Sequence, residues 1–251
     1  MVNRQYFNAK YTANYFNSEY LNYEGGKFSK SRNVGVFGNN AKETGIPPSV
    51  WRYYLLSVRP ESSDSMFTWS EFITKNNSEL LNNFGNFVNR AIRFIFAKYD
   101  GVIPKADFNG QLETDLFKDV NALLKQFVEQ MEAVKLRAAL GTVMALSARG
   151  NQYLQEANLS NALFDESRPK CDAVVASAAN LIYLLSALVS PFMPATSDSM
   201  CRQLNAPARN IPDEFTLDIL PGHVLGGAEY LFTRIDEKME QVWKSKYGTG
   251  A

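Results

Sequence analysis

The sequence predicts a mainly α fold, in which a helical bundle is preceded by a small α/β segment. Two observations support this prediction. From residue 68 onward, apolar side chains recur at steps of three and four residues over several long stretches, the spacing of one helix face. Residues 1–45 instead are rich in glycine, asparagine and aromatic side chains, with short β-like runs such as 34–37, which predicts loops and brief strands. We therefore divide the chain into residues 1–67 and 68–251.

The first two predicted helices have recognisable ends. A proline pair precedes residues 50–56, which suits the first turn of a helix, and the Arg59–Pro60 step ends that helix. Thr68 and Glu71 have the spacing of a capping box, in which each side chain accepts a hydrogen bond from the other residue's backbone N–H. The long helix that follows has one apolar face and ends at residues 100–101, an Asp–Gly pair.

Further helices complete the predicted bundle. They span residues 112–134, 136–155, 172–188 and 196–204, and a loose surface segment at 206–228 leads to a charged helix at 236–246. The segment 172–188 is apolar around most of its circumference, so we expect it at the bundle centre. Its serine and asparagine side chains argue against a membrane span.

The composition limits the classes of function. The chain has 251 residues and 45% hydrophobic content, enough for one large or two modest cores. It has 26 basic and 26 acidic side chains, so bulk charge gives no support for nucleic-acid binding and any RNA contact must be local. Two distant cysteines and one histidine predict neither a metal site nor a disulfide framework. Residues 1–16 lack an apolar stretch, so we expect a cytoplasmic protein without a secretory signal.

The strongest motif is GGKFSKSRN at residues 25–33, a glycine pair followed by cationic and hydroxyl side chains. The glycines allow backbone conformations that other residues rarely adopt. Lys27 and Lys30 can bind a polyphosphate as point charges, while Ser29 and Ser31 can donate hydrogen bonds to it. A solvated basic loop is the alternative, and on composition alone it is the commoner outcome.

The order of residues in this loop adds information. KFSKS at 27–31 resembles the KMSKS signature of class I aminoacyl-tRNA synthetases, with phenylalanine in place of methionine. The flanking sequences EYLNYE and VGVFG are similar to those of methionyl-tRNA synthetases of the eukaryotic cytosolic, fungal type. The similarity extends from about residue 19 to the end and is weaker before it; it includes residues 45–61, 76–83, 149–155 and 228–236.

This resemblance implies a fold and a set of ATP-binding residues. The first segment would be the C-terminal end of the catalytic region, with the KMSKS-type loop and a stem-contact segment, and the second would be the helical anticodon-binding domain. Lys27 and Lys30 would be catalytic, stabilising charge on the departing pyrophosphate. Both lysines, with Ser29 and Ser31, would bind ATP, accompanied by Mg²⁺ in the full enzyme. No metal site is expected in this chain.

Asn86 and Arg90 are the candidate anticodon-binding pair. They lie four residues apart on the first long helix and therefore share one face. An amide beside a planar guanidinium suits recognition of a single-stranded base. Spacing alone favours an ordinary exposed polar pair. The resemblance reverses this preference, because the matching residues of methionyl-tRNA synthetases contact the CAU anticodon.

Leu159 is the third candidate contact. The family often has a tryptophan in the turn after the helix that contains residues 150–152, and its ring stacks on a base. Here the turn is NLSN at 158–161, so Leu159 takes this position. A leucine offers apolar contact but lacks the stacking contribution of about 1–3 kcal/mol. A hydrophobic contact within the turn is an equal alternative.

Three other side chains have a structural alternative to a functional role. Tyr153 can approach RNA, but a tyrosine near a helix end is more often a packing residue. Arg52 is a weak candidate for a phosphate contact. His223 follows a Pro–Gly pair, and we expect it to be a turn residue or a structural hydrogen-bonding group.

Two functions follow from the resemblance. The first is part of a methionine-tRNA ligase, which activates methionine with ATP and charges tRNA(Met). The second is a stand-alone tRNA-binding module without catalytic activity, because the sequence contains no HIGH-like tetrapeptide and no cysteine cluster for zinc. The expected partners are tRNA(Met), with methionine and ATP in the full enzyme, and other synthetases or cofactor proteins through further domains. No membrane is expected.

Overall fold

The computed structural model describes residues 19–248, and most of this range is helical. It begins with β1 (Leu21–Tyr23), α1 (Gly38–Glu43), α2 (Pro48–Ser57) and β2 (Ser65–Phe67). A long helical region follows: α3 (Trp69–Thr74), a π-helical segment (Lys75–Gly85) and α4 (Asn86–Tyr99). The remaining helices are α5 (Gln111–Glu132), α6 (Leu136–Glu156), α7 (Asn161–Glu166), α8 (Arg168–Val189), α9 (Pro194–Leu204) and α10 (Met239–Tyr247). The prediction of a mainly α fold is confirmed. Residues 1–16, for which the sequence predicts no secretory signal, lie outside the described range.

The small α/β segment is built on two parallel strands. β1 pairs with β2 in a register that places Leu21 opposite Ser65 and Tyr23 opposite Phe67. The β-like run at 34–37 does not form a strand, and this expectation was wrong. Val34 instead makes a single bridge to Ser29, because the chain turns back sharply between these residues and leaves no extended neighbour for a ladder.

The start of the long helical region confirms one half of the predicted capping box. The Thr68 hydroxyl accepts a hydrogen bond from the Glu71 backbone N–H at 3.2 Å, as expected for an N-cap. Glu71 does not return the bond. The Tyr54 hydroxyl lies between the two groups: it accepts from the Thr68 N–H at 3.2 Å and donates to the Glu71 carboxylate at 3.0 Å. A side chain of α2 therefore replaces the direct contact.

The π-helical segment holds the C-terminal part of the chain. Asn76 and Asn77 lie within it and are buried. The Asn76 amide donates to the Thr233 carbonyl oxygen at 3.0 Å. Asn77 donates to the Ile235 carbonyl oxygen at 2.8 Å and accepts from the Ile235 N–H at 2.9 Å. These bonds attach the irregular segment before α10 to the long helical region.

The central helix of the bundle is α8, as the sequence predicts. All of its residues from Cys171 to Val189 are buried except Asp172, and α8 packs against α4, α5, α6, α7 and α9. Its length and apolarity match those of a membrane span, but 94% of its apolar stretch is buried inside the protein. It is therefore the core helix of a bundle whose buried residues form one continuous cluster from Tyr23 to Tyr247.

The other predicted helices are confirmed with small shifts at their ends, and two short helices were missed, α1 and α7. The segment 206–228 is irregular, as expected. Each of the two has six residues, and α7 begins after Ser160, whose hydroxyl accepts from the Leu163 N–H at 3.3 Å. A helix this short is below the length over which apolar periodicity can be recognised.

Candidate functional site

The loop at residues 25–33 follows a tight reversal at the end of β1. Tyr23 and Gly26 exchange two backbone hydrogen bonds, each of 2.8 Å. The two residues between them have positive φ angles, 44° at Glu24 and 85° at Gly25. Glycine tolerates this conformation without steric cost, which explains the first glycine of the pair. The reversal directs the following KFSKS sequence away from the strand.

A second reversal presents the cationic side chains. Ser29 and Val34 exchange backbone hydrogen bonds of 2.8 and 2.9 Å. Between them, Lys30 and Ser31 are exposed, and so is Lys27 just before the turn. Within residues 19–248, neither lysine forms a salt bridge. The hydroxyl of Ser29 is less free, because it accepts from Arg32 Nε at 3.1 Å.

Phe28 anchors the loop to the protein. Its ring packs against those of Tyr23 and Phe37, with centroid distances of 5.1 and 6.0 Å. Gly35 lies directly beneath the ring, since a Cβ atom at this position would be 2.2 Å from Phe28 Cδ1. The aromatic residue in the methionine position of the signature therefore fills a site that requires glycine opposite it.

The base of the loop is connected to the helical region. The Glu24 carboxylate accepts from the first backbone N–H of α3, at Trp69, at 2.8 Å, where a negative charge is favourable to the helix dipole. The indole of Trp69 donates to the Tyr23 hydroxyl at 2.9 Å. Lys244 of α10 lies 3.4 Å from the second Glu24 oxygen, and its hydrogen bond to Glu240 raises the pKa of Lys244. The loop is thereby tied to both ends of the chain's helical part.

Asn86 is held in a network of side-chain amides between α4 and α6. Its Nδ2 donates to Asn151 Oδ1 at 2.9 Å. The Asn151 amide donates in turn to the Asn83 carbonyl oxygen at 2.9 Å, and Asn83 Nδ2 donates to the Met144 carbonyl oxygen at 3.0 Å. Asn86 is therefore oriented by its neighbours, and its amide oxygen accepts no hydrogen bond from a described residue.

Arg90 lies one turn further along α4 and is exposed. It makes no hydrogen bond or salt bridge to any residue between 19 and 248. The sequence from 82 to 93, which forms this part of the helix, contains no acidic residue. The structure thus places an oriented amide and an exposed guanidinium on one face of α4, and their contact with an anticodon stays a prediction.

Leu159 lies just beyond the C-terminal end of α6, the helix that contains Asn151. Asn158 has a positive φ of 55°, and the N–H groups of Asn158 and Leu159 donate to the carbonyl oxygens of Gln155 and Leu154. This is a Schellman motif, in which the residue in the position of Leu159 often makes an apolar contact with the helix. Leu159 is partly buried against the core, which is consistent with that structural role.

The three other side chains that were considered for a functional role form hydrogen bonds within the protein. Tyr153 is fully buried and donates to the Glu113 carboxylate at 2.6 Å. Arg52 donates to the carbonyl oxygens of Pro191 and Phe192, so it joins α2 to the turn before α9. His223 Nε2 lies 2.6 Å from the Leu204 carbonyl oxygen, as expected for a structural hydrogen-bonding group.

Two family models match consecutive parts of the chain. One is described as tRNA synthetases class I (M) and matches residues 4–92. The other is described as the anticodon binding domain of methionyl tRNA ligase and matches residues 103–251, more than half of the chain. The chain belongs to the methionyl-tRNA synthetase family. Both matches agree with the resemblance predicted from KFSKS and its flanks.

Individual methionyl-tRNA synthetases support the assignment. The probable cytoplasmic methionine–tRNA ligase of Schizosaccharomyces pombe is 58% identical over 236 residues, and the cytoplasmic enzyme of Saccharomyces cerevisiae is 57% identical over 232. Each alignment covers 92% of this chain but only 30% and 31% of the relative. The chain therefore spans about a third of the length of the curated relatives it matches.

Solved methionyl-tRNA synthetase structures share the fold. A Mycobacterium tuberculosis methionyl-tRNA synthetase in complex with methionyl-adenylate superimposes with a TM-score of 0.74, over 86% of this chain and 43% of that one, at 20% identity. The apo form of the same enzyme gives 0.71. The two family matches leave a gap between residues 92 and 103, near the end of α4. The division of the chain into two domains between residues 67 and 68 stays a prediction.

The partners that orient the anticodon-binding candidates were not predicted from the sequence. Asn83 and Asn151 complete the amide network around Asn86, yet neither was singled out. Asn151 lies in the GNQ sequence that contributed to the family resemblance, so a signal was present. A side chain that acts by orienting another residue is recognisable only when the packing of α4 against α6 is known.

Proposed function

We propose that this chain is part of a cytoplasmic methionine-tRNA ligase, which activates methionine with ATP and charges tRNA(Met), and that its main role is recognition of the CAU anticodon. The observation that carries the proposal is the pair of Asn86 and Arg90 on one face of α4. Asn86 is oriented by Asn151, and Arg90 is exposed without a protein partner in the described range.

The chemistry of this pair suits an unpaired base. Asn86 retains an amide oxygen that can accept from a base edge, while its NH₂ group is directed to Asn151. Arg90 offers a planar cation for bidentate hydrogen bonds or stacking. Single-stranded RNA loops are read through such contacts to base edges and faces.

The amide network reduces the cost of binding. A free asparagine or arginine side chain loses rotamer freedom when it contacts RNA, at about 0.5–1.5 kcal/mol for a rotamer-rich side chain. Asn86 is already fixed by its hydrogen bond before RNA arrives. Arg90 is not fixed, so we assign orientation to Asn86 and most of the attraction for the anticodon to Arg90.

Leu159 supplies at most apolar contact to a base. It lies in the turn after α6 and is partly buried against the core, and its side chain has no π-face for stacking. We therefore propose it as a secondary member of the anticodon-binding surface.

The KFSKS loop is proposed to hold ATP in the complete enzyme. Lys27 and Lys30 are exposed cations at the tip of a loop that is anchored by Phe28, a geometry suited to stabilising charge on the departing pyrophosphate. Ser31 is exposed and can donate to a phosphate oxygen, and Ser29 can also donate, because its bond from Arg32 uses only an acceptor lone pair of the hydroxyl. Mg²⁺ accompanies ATP in this proposal as part of the substrate, and the remaining walls of the nucleotide site belong to the rest of the enzyme.

A stand-alone tRNA-binding module without catalysis is the second candidate, because the chain spans about a third of its relatives. Methionine-dependent ATP–pyrophosphate exchange distinguishes the two. We expect no exchange from this chain alone and restored exchange when the remainder of a fungal relative is supplied. Measurable exchange from the chain by itself would contradict the division of labour proposed here.

The proposal of anticodon recognition has its own test. The affinity of the chain is measured for a tRNA with a CAU anticodon and for the same tRNA with a changed anticodon, at one salt concentration because phosphate contacts depend on salt. We expect tighter binding to the CAU form. Equal affinity for both tRNAs would refute anticodon recognition by this chain.

A further inference from the structure

An exposed aromatic residue lies beside the proposed anticodon-binding face. Tyr230 belongs to the irregular segment before α10 and is 63% exposed, which is unusual for a tyrosine in a chain whose other aromatic rings mostly form the core. The guanidinium of Arg93 lies over its ring at 4.9 Å from the centroid. This contact is within the range of a cation–π interaction and covers one face of the ring.

Tyr230 and Asn86 line the same groove. Its volume is about 230 Å³, and its lining combines apolar side chains and the Tyr230 ring with three asparagines, Asn82, Asn86 and Asn89. Asn89 has a buried amide oxygen without a hydrogen-bond partner among the described residues. A groove of this kind offers a flat aromatic surface together with amide groups that can hydrogen-bond a polar ring.

Helical geometry places Arg93 next to the proposed anticodon contacts. Residues seven apart on an α-helix are separated by about 20° around the axis and about 10.5 Å along it. Arg93 therefore lies on the same side of α4 as Asn86, about two turns further on, with Arg90 between them along the axis. The Arg93–Tyr230 pair is continuous with the Asn86–Arg90 face.

We infer that Tyr230, supported by Arg93, is a stacking platform for an unpaired base of the bound tRNA. It would supply the aromatic contact that Leu159 cannot provide. The occupant is RNA rather than a protein segment because the face carries Arg90 and Arg93 with no acidic residue between 82 and 93. This inference rests on the proposed function and adds a contact to it.

Three substitutions separate the contribution of the aromatic face of Tyr230 from those of its volume and its hydroxyl group. Tyr230→Phe keeps the π-face, Tyr230→Leu keeps apolar volume without it, and Tyr230→Ala removes both. The readouts are affinity for the CAU tRNA and the fluorescence of 2-aminopurine placed at one anticodon-loop position at a time outside the triplet. Leu220→Ala is the control, since Leu220 is 62% exposed in the same irregular segment.

We expect Tyr230→Ala and Tyr230→Leu to weaken binding about tenfold and to abolish the quenching of 2-aminopurine at one position, while Tyr230→Phe and the control keep both. Arg93→Ala should weaken binding and reduce the quenching at that same position. Unchanged affinity and fluorescence in Tyr230→Ala would overturn the inference, as would a loss of thermal stability alone.

These outcomes are distinguishable from failure of the proposed function. If Tyr230→Ala behaves as the unchanged chain while the unchanged chain still prefers CAU, only the stacking platform is refuted. If the unchanged chain shows no preference for CAU, the proposed function is refuted first.

Discussion

The Asn86 side chain of α4 donates a 2.9 Å hydrogen bond to Asn151 Oδ1 of α6. Asn151 in turn donates to the Asn83 carbonyl oxygen, one turn before Asn86. The amide that we propose to contact the anticodon is therefore oriented by a residue 65 positions later in the sequence. Recognition through Asn86 depends on the packing of α4 against α6.

Replacing Asn151 by alanine should lower anticodon discrimination. The substitution removes the acceptor that orients Asn86 and leaves the Asn83 carbonyl oxygen without its side-chain donor. We expect a loss in the preference for CAU over a changed anticodon of about 1 kcal/mol, the usual scale of one hydrogen bond. The measurement is the ratio of the two tRNA affinities.

Gln152→Ala is the matched control for this prediction. Gln152 is the next residue of α6, is exposed, and bonds only to Glu156 among the described residues. The control should keep the preference for CAU. An Asn151→Ala chain that discriminates as well as the control would contradict a positioning role for Asn151.

Replacing Gly35 by alanine should loosen the KFSKS loop. The new Cβ would lie 2.2 Å from Phe28 Cδ1, and Gly35 has a φ of 120°, which L-residues rarely adopt. Backbone strain of this kind costs about 1–3 kcal/mol, and displacement of the Phe28 ring removes the anchor of the loop. Hydrogen exchange of residues 26–35 should become faster.

Gly38→Ala provides the comparison for the loop. Gly38 begins α1, has no positive φ, and has open space where the Cβ of an alanine would lie. Its substitution should leave exchange in the loop unchanged. Equal exchange in the two variants would show that Phe28 does not depend on Gly35 for its position.

Stability should fall at alkaline pH because of buried tyrosines. Burial, together with the hydrogen bond to Glu113, raises the pKa of Tyr153 far above its usual value near 10. Above pH of about 10 the unfolded chain loses this phenolic proton while the folded protein keeps it. The unfolded state then binds fewer protons, so the free energy of unfolding decreases as pH rises.

The slope approaches about 1.4 kcal/mol per pH unit for each such tyrosine once the phenol of the unfolded chain is fully ionised. Tyr153→Phe should reduce the decline between pH 10 and 11 by about 1 kcal/mol, because the unfolded phenol is only half ionised at pH 10, even though the stability of the variant at neutral pH is lower because Glu113 loses a hydrogen bond. Urea unfolding at several pH values measures it. The same slope in both proteins would contradict a protonated, buried Tyr153.

The sequence predicted the parts of the fold that depend on local patterns. Apolar residues at helical spacing identify α5, α6 and α8, because each buries a face long enough to be recognised. The π-helical segment was not predicted, since Asn76 and Asn77 hydrogen-bond to backbone groups 157 and 158 residues away. The role of Tyr54 in the cap of α3 was missed for the same reason, as it comes from a separate helix.

In the candidate site, too, only features formed by residues close in sequence were predicted. The KFSKS loop and the Asn86–Arg90 pair were found because their residues are close in sequence. The glycine beneath Phe28, the orienting role of Asn151 and the groove beside Tyr230 depend on contacts between distant segments, and no spacing in the sequence indicates them.

Recognition of the anticodon by α4 is tested most directly by the effect of Arg90→Ala on anticodon discrimination. The affinities of the unchanged chain, of Arg90→Ala and of Arg202→Ala, an exposed arginine on α9, are measured for the CAU tRNA and for a tRNA with a changed anticodon. Arg90→Ala should reduce the preference for CAU by about 1–3 kcal/mol, the scale of one bidentate base contact, while Arg202→Ala leaves it intact. An undiminished preference for CAU in Arg90→Ala would contradict recognition of the anticodon by this face of α4.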